Sequence, residues 1–196
     1  MITDYSAMNE ITDSALLASV LGVRETGLEV RDLSEVMTAP TAIAGVGEKR
    51  AAKLYAVQEL ARRLMVREAR KVNIIHGPED AAHLLMPMVR YENREHFMLL
   101  LLDTKNHVLA VPTVSVGGLS SAIVHPREVF QAALRYPTAA MILAHNHPSG
   151  DPSPSREDIA LTQRLVKAGK IMDIPVLDHI ILGDKRFVSL KEKGLI

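Results

Sequence analysis

The order of apolar and polar positions divides the chain into two parts with different periods. Roughly the first 70 residues show no strand-like alternation. Thr12-Asp13-Ser14 reads as the N-cap region of a helix from Ala15 through Leu21, ended by Gly22. A second short helix is expected around Arg31 to Met37. From Glu48 to about Arg70, residues Ala51, Leu54, Val57, Ala61 and Leu64 recur at helical spacing and predict one apolar face. After Lys71 the pattern is mixed. Gly77-Pro78-Glu79-Asp80 opens a helix through Leu85. Phe97 to Leu102 is a continuous apolar strand, and Asp103-Thr104-Lys105-Asn106 turns into a second strand, Val108 to Val114. Pro126 starts a helix to about Tyr136. Ala139 to Ala144 reads as a buried strand and Ile159 to Ala168 as an amphipathic helix. Val176 to Leu182 and Phe187 to Leu190 close the chain as a hairpin around Gly183-Asp184-Lys185. These elements predict a small all-α domain over residues 1–71 and an α+β domain over 72–196, a mixed sheet flanked by helices.

The segment between the Ala139 strand and the Ile159 helix carries the chemistry. His145 and His147 lie two apart at a strand end, so their imidazoles share one face. Pro- and Gly-rich residues then turn the chain, and Asp158 arrives in the first turn of the helix. Two imidazoles and one carboxylate leave one tetrahedral position for water, the plan of a catalytic zinc site. Ser155-x-x-Asp158 before an apolar run is also a capping box. The two readings are compatible, because a capped first turn fixes a metal-binding carboxylate.

Composition narrows this picture. The chain of 196 residues contains no cysteine, so a metal must use His, Asp or Glu. Hydrophobic residues make up 47%, which suits a packed globular protein. With 23 basic and 23 acidic residues, no global field favours nucleic acid or membrane. No apolar run is long enough to span a bilayer, and the N-terminus lacks a basic-then-apolar signal; a cytoplasmic protein without a membrane partner is expected. Zero net charge hides a local asymmetry. Residues 48–71 carry eight basic residues against Glu48, Glu59 and Glu68. Ahead of them, Gly45-Val46-Gly47 permits a tight turn at a helix N-terminus, with Lys49, Arg50 and Lys53 close by. This turn resembles a helix-hairpin-helix DNA-binding motif, departing from it at Pro40. The resemblance implies phosphate contact through Gly45, Gly47, Lys49 and Lys53; the alternative is a compact helical hairpin whose glycines only turn the chain.

A second resemblance covers the chain from about Val72 onward. His-x-His, seven residues, Ser155, two residues and Asp158 is similar to the JAMM motif of the JAB1/MPN metalloprotease superfamily. His145-Asn146-His147-Pro148-Ser149-Gly150-Asp151-Pro152 and Leu177-Asp178-His179-Ile180-Ile181 resemble more narrowly its RadC-type branch. Asn146 stands where more familiar members have Ser or Thr. The resemblance implies a JAB/MPN-like fold and one Zn2+ per chain on His145, His147 and Asp158. It implies Glu95 as the base that takes a proton from metal-activated water. Spacing alone does not choose Glu95 over Glu92 or Glu128. It also implies that Ser155 hydrogen-bonds the developing oxyanion. Asp178 and His179 face opposite ways on their strand; one supports the metal ligands, or both are ordinary polar residues. Val116 to Ser121 is a loop candidate beside the substrate cleft.

Three functions follow. The first is a zinc hydrolase of peptide or isopeptide bonds acting on a protein or peptide, with a family label of DNA repair. The second is a metal-dependent nuclease to which the basic hairpin delivers DNA. The third is a DNA- or protein-binding module with a non-catalytic metal site.

Overall fold

The computed structural model describes residues 11–24, 36, 39–69, 73–117 and 124–196. The helix expected over Arg31 to Met37 lies outside them apart from Val36, and so does the expected domain boundary at residues 71 and 72. The chain forms two compact units, Met1–Leu64 and Met65–Ile196.

In the first unit, α1 (Asp13–Leu21) begins where Thr12 Oγ1 accepts the Ala15 N–H at 3.2 Å. It ends at Gly22, whose φ of 67° is left-handed and favours a residue without a Cβ. A 3-10 turn, Pro40–Ala42, leads through Ile43 and Val46 into α2 (Glu48–Ala69). Leu17, Ala18, Leu21, Val36, Ile43, Val46, Ala51 and Leu54 form the core of this unit. The apolar face expected along α2 is buried only at its start, at Ala51 and Leu54, since Val57 and Leu64 are exposed.

The second unit is a mixed six-stranded sheet flanked by helices. Its strands are β1 (Glu95–Leu102), β2 (Val108–Ala110), β3 (Thr113–Gly117), β4 (Ala140–Asn146), β5 (Val176–Leu182) and β6 (Phe187–Ser189). The order is β2-β1-β4-β5-β6, with β3 also on β1. β1 and β4 run antiparallel, β4 and β5 parallel, β5 and β6 antiparallel. The single strand expected over Val108 to Val114 is in fact two, β2 and β3, separated by Val111 and Pro112. Proline has no N–H to donate to a ladder. Here its carbonyl accepts the Leu99 N–H at 3.0 Å, and the register shifts between Phe97 and Met98.

The helices are α3 (Pro78–Val89), α4 (Pro126–Ala133) and α5 (Arg156–Met172). Alternation on β1 sends Met98, Leu100 and Leu102 to the face covered by Leu84 and Leu85 of α3. Phe97, Leu99 and Leu101 face Val129 and Phe130 of α4 and Leu165 of α5. Every residue of β4 is buried, which is why it reads as an unbroken apolar run. The parallel connection from β4 to β5 is long enough to hold α5, and the residues between β4 and α5 form the site. Among the described residues, no helix is long and apolar enough to cross a membrane.

Candidate metal centre

β4 carries His145 onto the α5 face, where its ring stacks with Phe97 at a centroid distance of 6.3 Å. The His147 N–H donates to Leu182 O at 2.8 Å, so the chain stays in register with β5 one residue past β4. His147 therefore follows His145 on the same face. The chain then turns back over the β5–β6 connection, where Asp184 N–H donates to Gly150 O at 2.9 Å. A Cβ at Gly183 would meet Gly150 O and lie 2.7 Å from Pro152 Cδ, so only glycine lets the loop settle there. α5 starts at Arg156, three residues before the expected Ile159. Ser155 is its N-cap and Asp158 its third residue, in a complete capping box.

These elements bring together His145, His147 and Asp158, whose ligand atoms lie within 4.8 Å of one another. The two Nε2 atoms are 2.9 Å apart. Asp158 Oδ1 is 3.3 Å from His145 Nε2, and Oδ2 is 3.6 Å from His147 Nε2. Ligand atoms around a tetrahedral zinc with bonds of about 2.0–2.2 Å stand about 3.3–3.6 Å apart. The spread in the structure brackets that range, so the three side chains fit one small cation.

Hydrogen bonding behind the site fixes where the imidazole protons are. A carbonyl can only accept. Asp158 O, 2.6 Å from Thr162 Oγ1, therefore takes the Thr162 proton. Thr162 Oγ1 then accepts from His179 Nδ1–H at 2.6 Å, and His179 Nε2 accepts from His145 Nδ1–H at 2.8 Å. His145 Nε2 is left with a lone pair. His147 Nδ1–H donates to Asp151 O at 2.7 Å, which likewise leaves Nε2 free in the neutral ring. Two lone pairs and a carboxylate thus converge on one point, an arrangement satisfied by a cation.

The electrostatics agree. Burial lowers the His145 pKa to about 4 and puts that of His179 well below its ordinary value. The Asp158 carboxylate raises the His147 pKa, against the effect of burial. Burial pushes Asp158 up, but its interactions with His147, His145 and Ser155 outweigh it and hold the carboxyl below its usual range.

Glu95 begins β1, pairs with Gly117 and is half-buried; continuing the antiparallel β1–β4 register beyond Phe97 and His145 sets its position across from His147, whose pKa its charge also raises. Asn146, buried and left without a role in the sequence reading, grips the backbone on both sides of Glu95. It accepts from His96 N–H at 2.8 Å and donates to Arg94 O at 3.1 Å. Glu92 is exposed and its carboxylate is 3.3 Å from His96 Nε2. Glu128 lies in the first turn of α4. The Ser155 hydroxyl donates to Asp158 Oδ2 at 2.6 Å and accepts from Asp158 N–H at 3.0 Å. Asp178 accepts from Lys191 N–H at 3.0 Å and from the Ser189 hydroxyl, tying β5 to the C-terminal turn. Of the loop candidate Val116 to Ser121, Val116 and Gly117 belong to β3, and the rest lies outside the described residues.

The glycine turn in the first unit is built on buried Ile43 and Val46, with Gly45, Gly47, Lys49 and Lys53 exposed. Arg50 Nη1 donates to Gly45 O at 2.8 Å and braces the turn. Further along α2, Arg62 and Arg63 are held by Glu59 at 2.8 and 2.7 Å, so the basic stretch is less free than its composition suggests.

Residues 75–195 match the family model of the RadC-like JAB domain. The chain belongs to the RadC-like JAB family. A UPF0758 protein of Desulforamulus reducens is 57% identical over 154 residues, covering 79% of this chain and 68% of that protein. Another, of Caldanaerobacter subterraneus subsp. tengcongensis, is 49% identical over 178 residues, covering 91% and 76%. One of Bacillus licheniformis is 50% identical over 156 residues, covering 80% and 70%. The match takes in the whole sheet and the His145–Asp158 segment, so the RadC-like JAB assignment applies to the unit that holds the candidate metal site.

Proposed function

We propose that this RadC-like JAB protein is a zinc-dependent hydrolase of peptide or isopeptide bonds. The observation that carries the reading is the convergence of two imidazole nitrogens and one carboxylate at the end of β4, with Glu95 on the neighbouring strand. His145, His147 and Asp158 hold the metal. A zinc ion there supplies Lewis acidity and lowers the pKa of water to about 7. Glu95 takes the water proton and returns it to the leaving nitrogen. Asn146 keeps the Glu95 backbone in place during both transfers. Ser155 donates to the developing oxyanion, and to do so its proton must leave Asp158 Oδ2.

Metal-replete wild type and Glu95→Gln, assayed against peptide, isopeptide, single-stranded and double-stranded DNA substrates, test this. Wild type should cleave a peptide or isopeptide bond. Glu95→Gln should keep the metal and lose about 10²–10⁴-fold in rate, the usual cost of removing a general base. Cleavage of DNA alone would transfer the mechanism to a nuclease. Metal binding without hydrolysis of any substrate would leave a binding module.

The exposed Gly47 backbone, with Lys49 and Lys53 beside it, favours DNA as a partner of the first unit. Backbone amides and lysines read phosphate, so binding should be independent of sequence and sensitive to salt. Lys49→Glu with Lys53→Glu should weaken binding without changing metal content. Unchanged DNA affinity in that double variant would reduce the glycines to a simple turn.

A further inference from the structure

His179 and Thr162 touch neither solvent nor the point where the ligand atoms meet. Both are fully buried, each with 0% exposure. They nevertheless link two of the three converging residues. The hydrogen-bond chain starts at His145 Nδ1, passes through both His179 nitrogens and the Thr162 hydroxyl, and ends on the carbonyl of Asp158. Thr162 lies one helical turn after Asp158, so its bond is of the back-bonding kind that slightly weakens a helix when nothing else is gained. Here the bond commits the only proton of the hydroxyl and turns its oxygen into an acceptor for His179.

The opposite polarity fails at a named contact. If His179 carried its proton on Nε2, its Nδ1 lone pair would face the Thr162 oxygen at 2.6 Å, and turning the hydroxyl proton toward it would leave Thr162 Oγ1 and Asp158 O 2.6 Å apart with no proton between them. His145 would then be protonated on Nε2, the nitrogen 2.9 Å from His147 Nε2, and that proton would lie in the cation's place. In a buried network a mismatch of this kind cannot be repaired by water.

We infer that His179 and Thr162 are positioning residues which lock His145 in its Nδ1-protonated tautomer and tie it to the helix turn bearing Asp158, an inference resting on the metal-ligand reading of those two residues. Outer hydrogen-bond partners of this kind orient a ligand imidazole and typically change metal affinity by about 10–100-fold.

Two measurements test it. The first needs no metal and no variant. Nitrogen-15 spectra of the imidazoles in metal-free protein, taken at about pH 8 to keep the rings neutral, distinguish the tautomers. Nδ1–H forms of His145 and His179 are expected; an Nε2–H form of either ring overturns the inference. The second uses Thr162→Val, which keeps the shape and removes the hydroxyl, and Thr162→Ser, which keeps the hydroxyl. Cobalt(II) affinity should fall about 10–100-fold in Thr162→Val, with an altered visible spectrum, and recover in Thr162→Ser. Equal affinity and spectra for Thr162→Val and wild type overturn it, as does a folded Thr162→Ser that behaves like Thr162→Val. Wild-type protein that binds no cobalt would defeat the metal reading, while the tautomer spectra would still decide the polarity of the chain.

Discussion

Replacing Asp158 by Asn keeps the side chain's shape and removes its charge, which separates capping from metal binding. In the metal-free protein the Asp158 carboxylate accepts Ser155 N–H at 2.8 Å and the Ser155 hydroxyl at 2.6 Å. The reciprocal bond, from Asp158 N–H to Ser155 Oγ at 3.0 Å, belongs to the backbone and survives. The two lost charge-assisted bonds become neutral ones, falling from about 1.5–3 to about 0.5–1.5 kcal/mol each. Removing a negative charge from the first helical turn adds about 0.3–1 kcal/mol. Ser155 is exposed, so the low end of each range applies, and Asp158→Asn should cost about 2 kcal/mol of metal-free stability in urea titration with chelator present. The charge also carries a pH signature. The Asp158 pKa is depressed, so its contribution is present above the ordinary 3.8 and lost as pH falls through the folded value. The His147 pKa is raised, so its contribution is fully present below the ordinary 6.5 and lost as pH rises through the folded value. The stability gap between wild type and variant should be widest between those limits. Metal affinity, read by competition with a chelating dye, should fall by more than the roughly 100-fold that loss of an outer partner costs. An affinity within a few-fold of wild type, with the stability loss present, would make Asp158 a helix cap and nothing more.

Two other outcomes follow from the same geometry. Metal and proton compete for His147 Nε2, and Asp158 raises that pKa; apparent zinc affinity should fall about tenfold per pH unit once pH drops below it, and a pH-independent affinity would remove His147 from the ligand set. Asn146→Ala frees the backbone on either side of Glu95 and leaves two partly buried groups unpaired, costing about 1–3 kcal/mol; metal content should hold while kcat falls more than KM rises, and an unchanged kcat would leave Asn146 a purely structural role.

Much of the fold was readable because its central strands are buried on both faces. Phe97 to Leu102 and Ala139 to Ala144 stand out as apolar runs, and both are central strands. Pro112 was the available sign that Val108 to Val114 is not one strand, since proline does not sit inside a central ladder. The start of α5 was read late because Arg156-Glu157-Asp158 carry no apolar period; the capping box marks the true start. Along α2 the helical spacing is real, but spacing reports which side of a helix is apolar and says nothing of whether a partner reaches it. Val57, Leu60 and Leu64 share the spacing and are exposed.

The three converging residues were legible because they lie on one strand end and the first turn of the next helix, within 14 residues from His145 to Asp158. His179 is 34 residues from His145, and only the parallel register of β4 and β5, with Leu143 opposite His179, brings the two rings together. A sequence shows that His179 alternates with Asp178; it does not show which strand lies alongside. Burial supplies the missing constraint. An imidazole with no exposed surface must satisfy two ring nitrogens inside the protein, and its own strand, with side chains alternating outward, offers no partner on the same face except apolar Leu177 and Ile181. The partners must come from a neighbouring strand and from the helix above it. In this fold those are β4, which ends in the one paired-histidine motif of the chain, and α5, which carries Thr162 one turn after Asp158. A histidine flanked by aliphatic residues on a strand is therefore a signal for a polar partner across the core, and the search for that partner leads from His179 directly to the candidate metal centre.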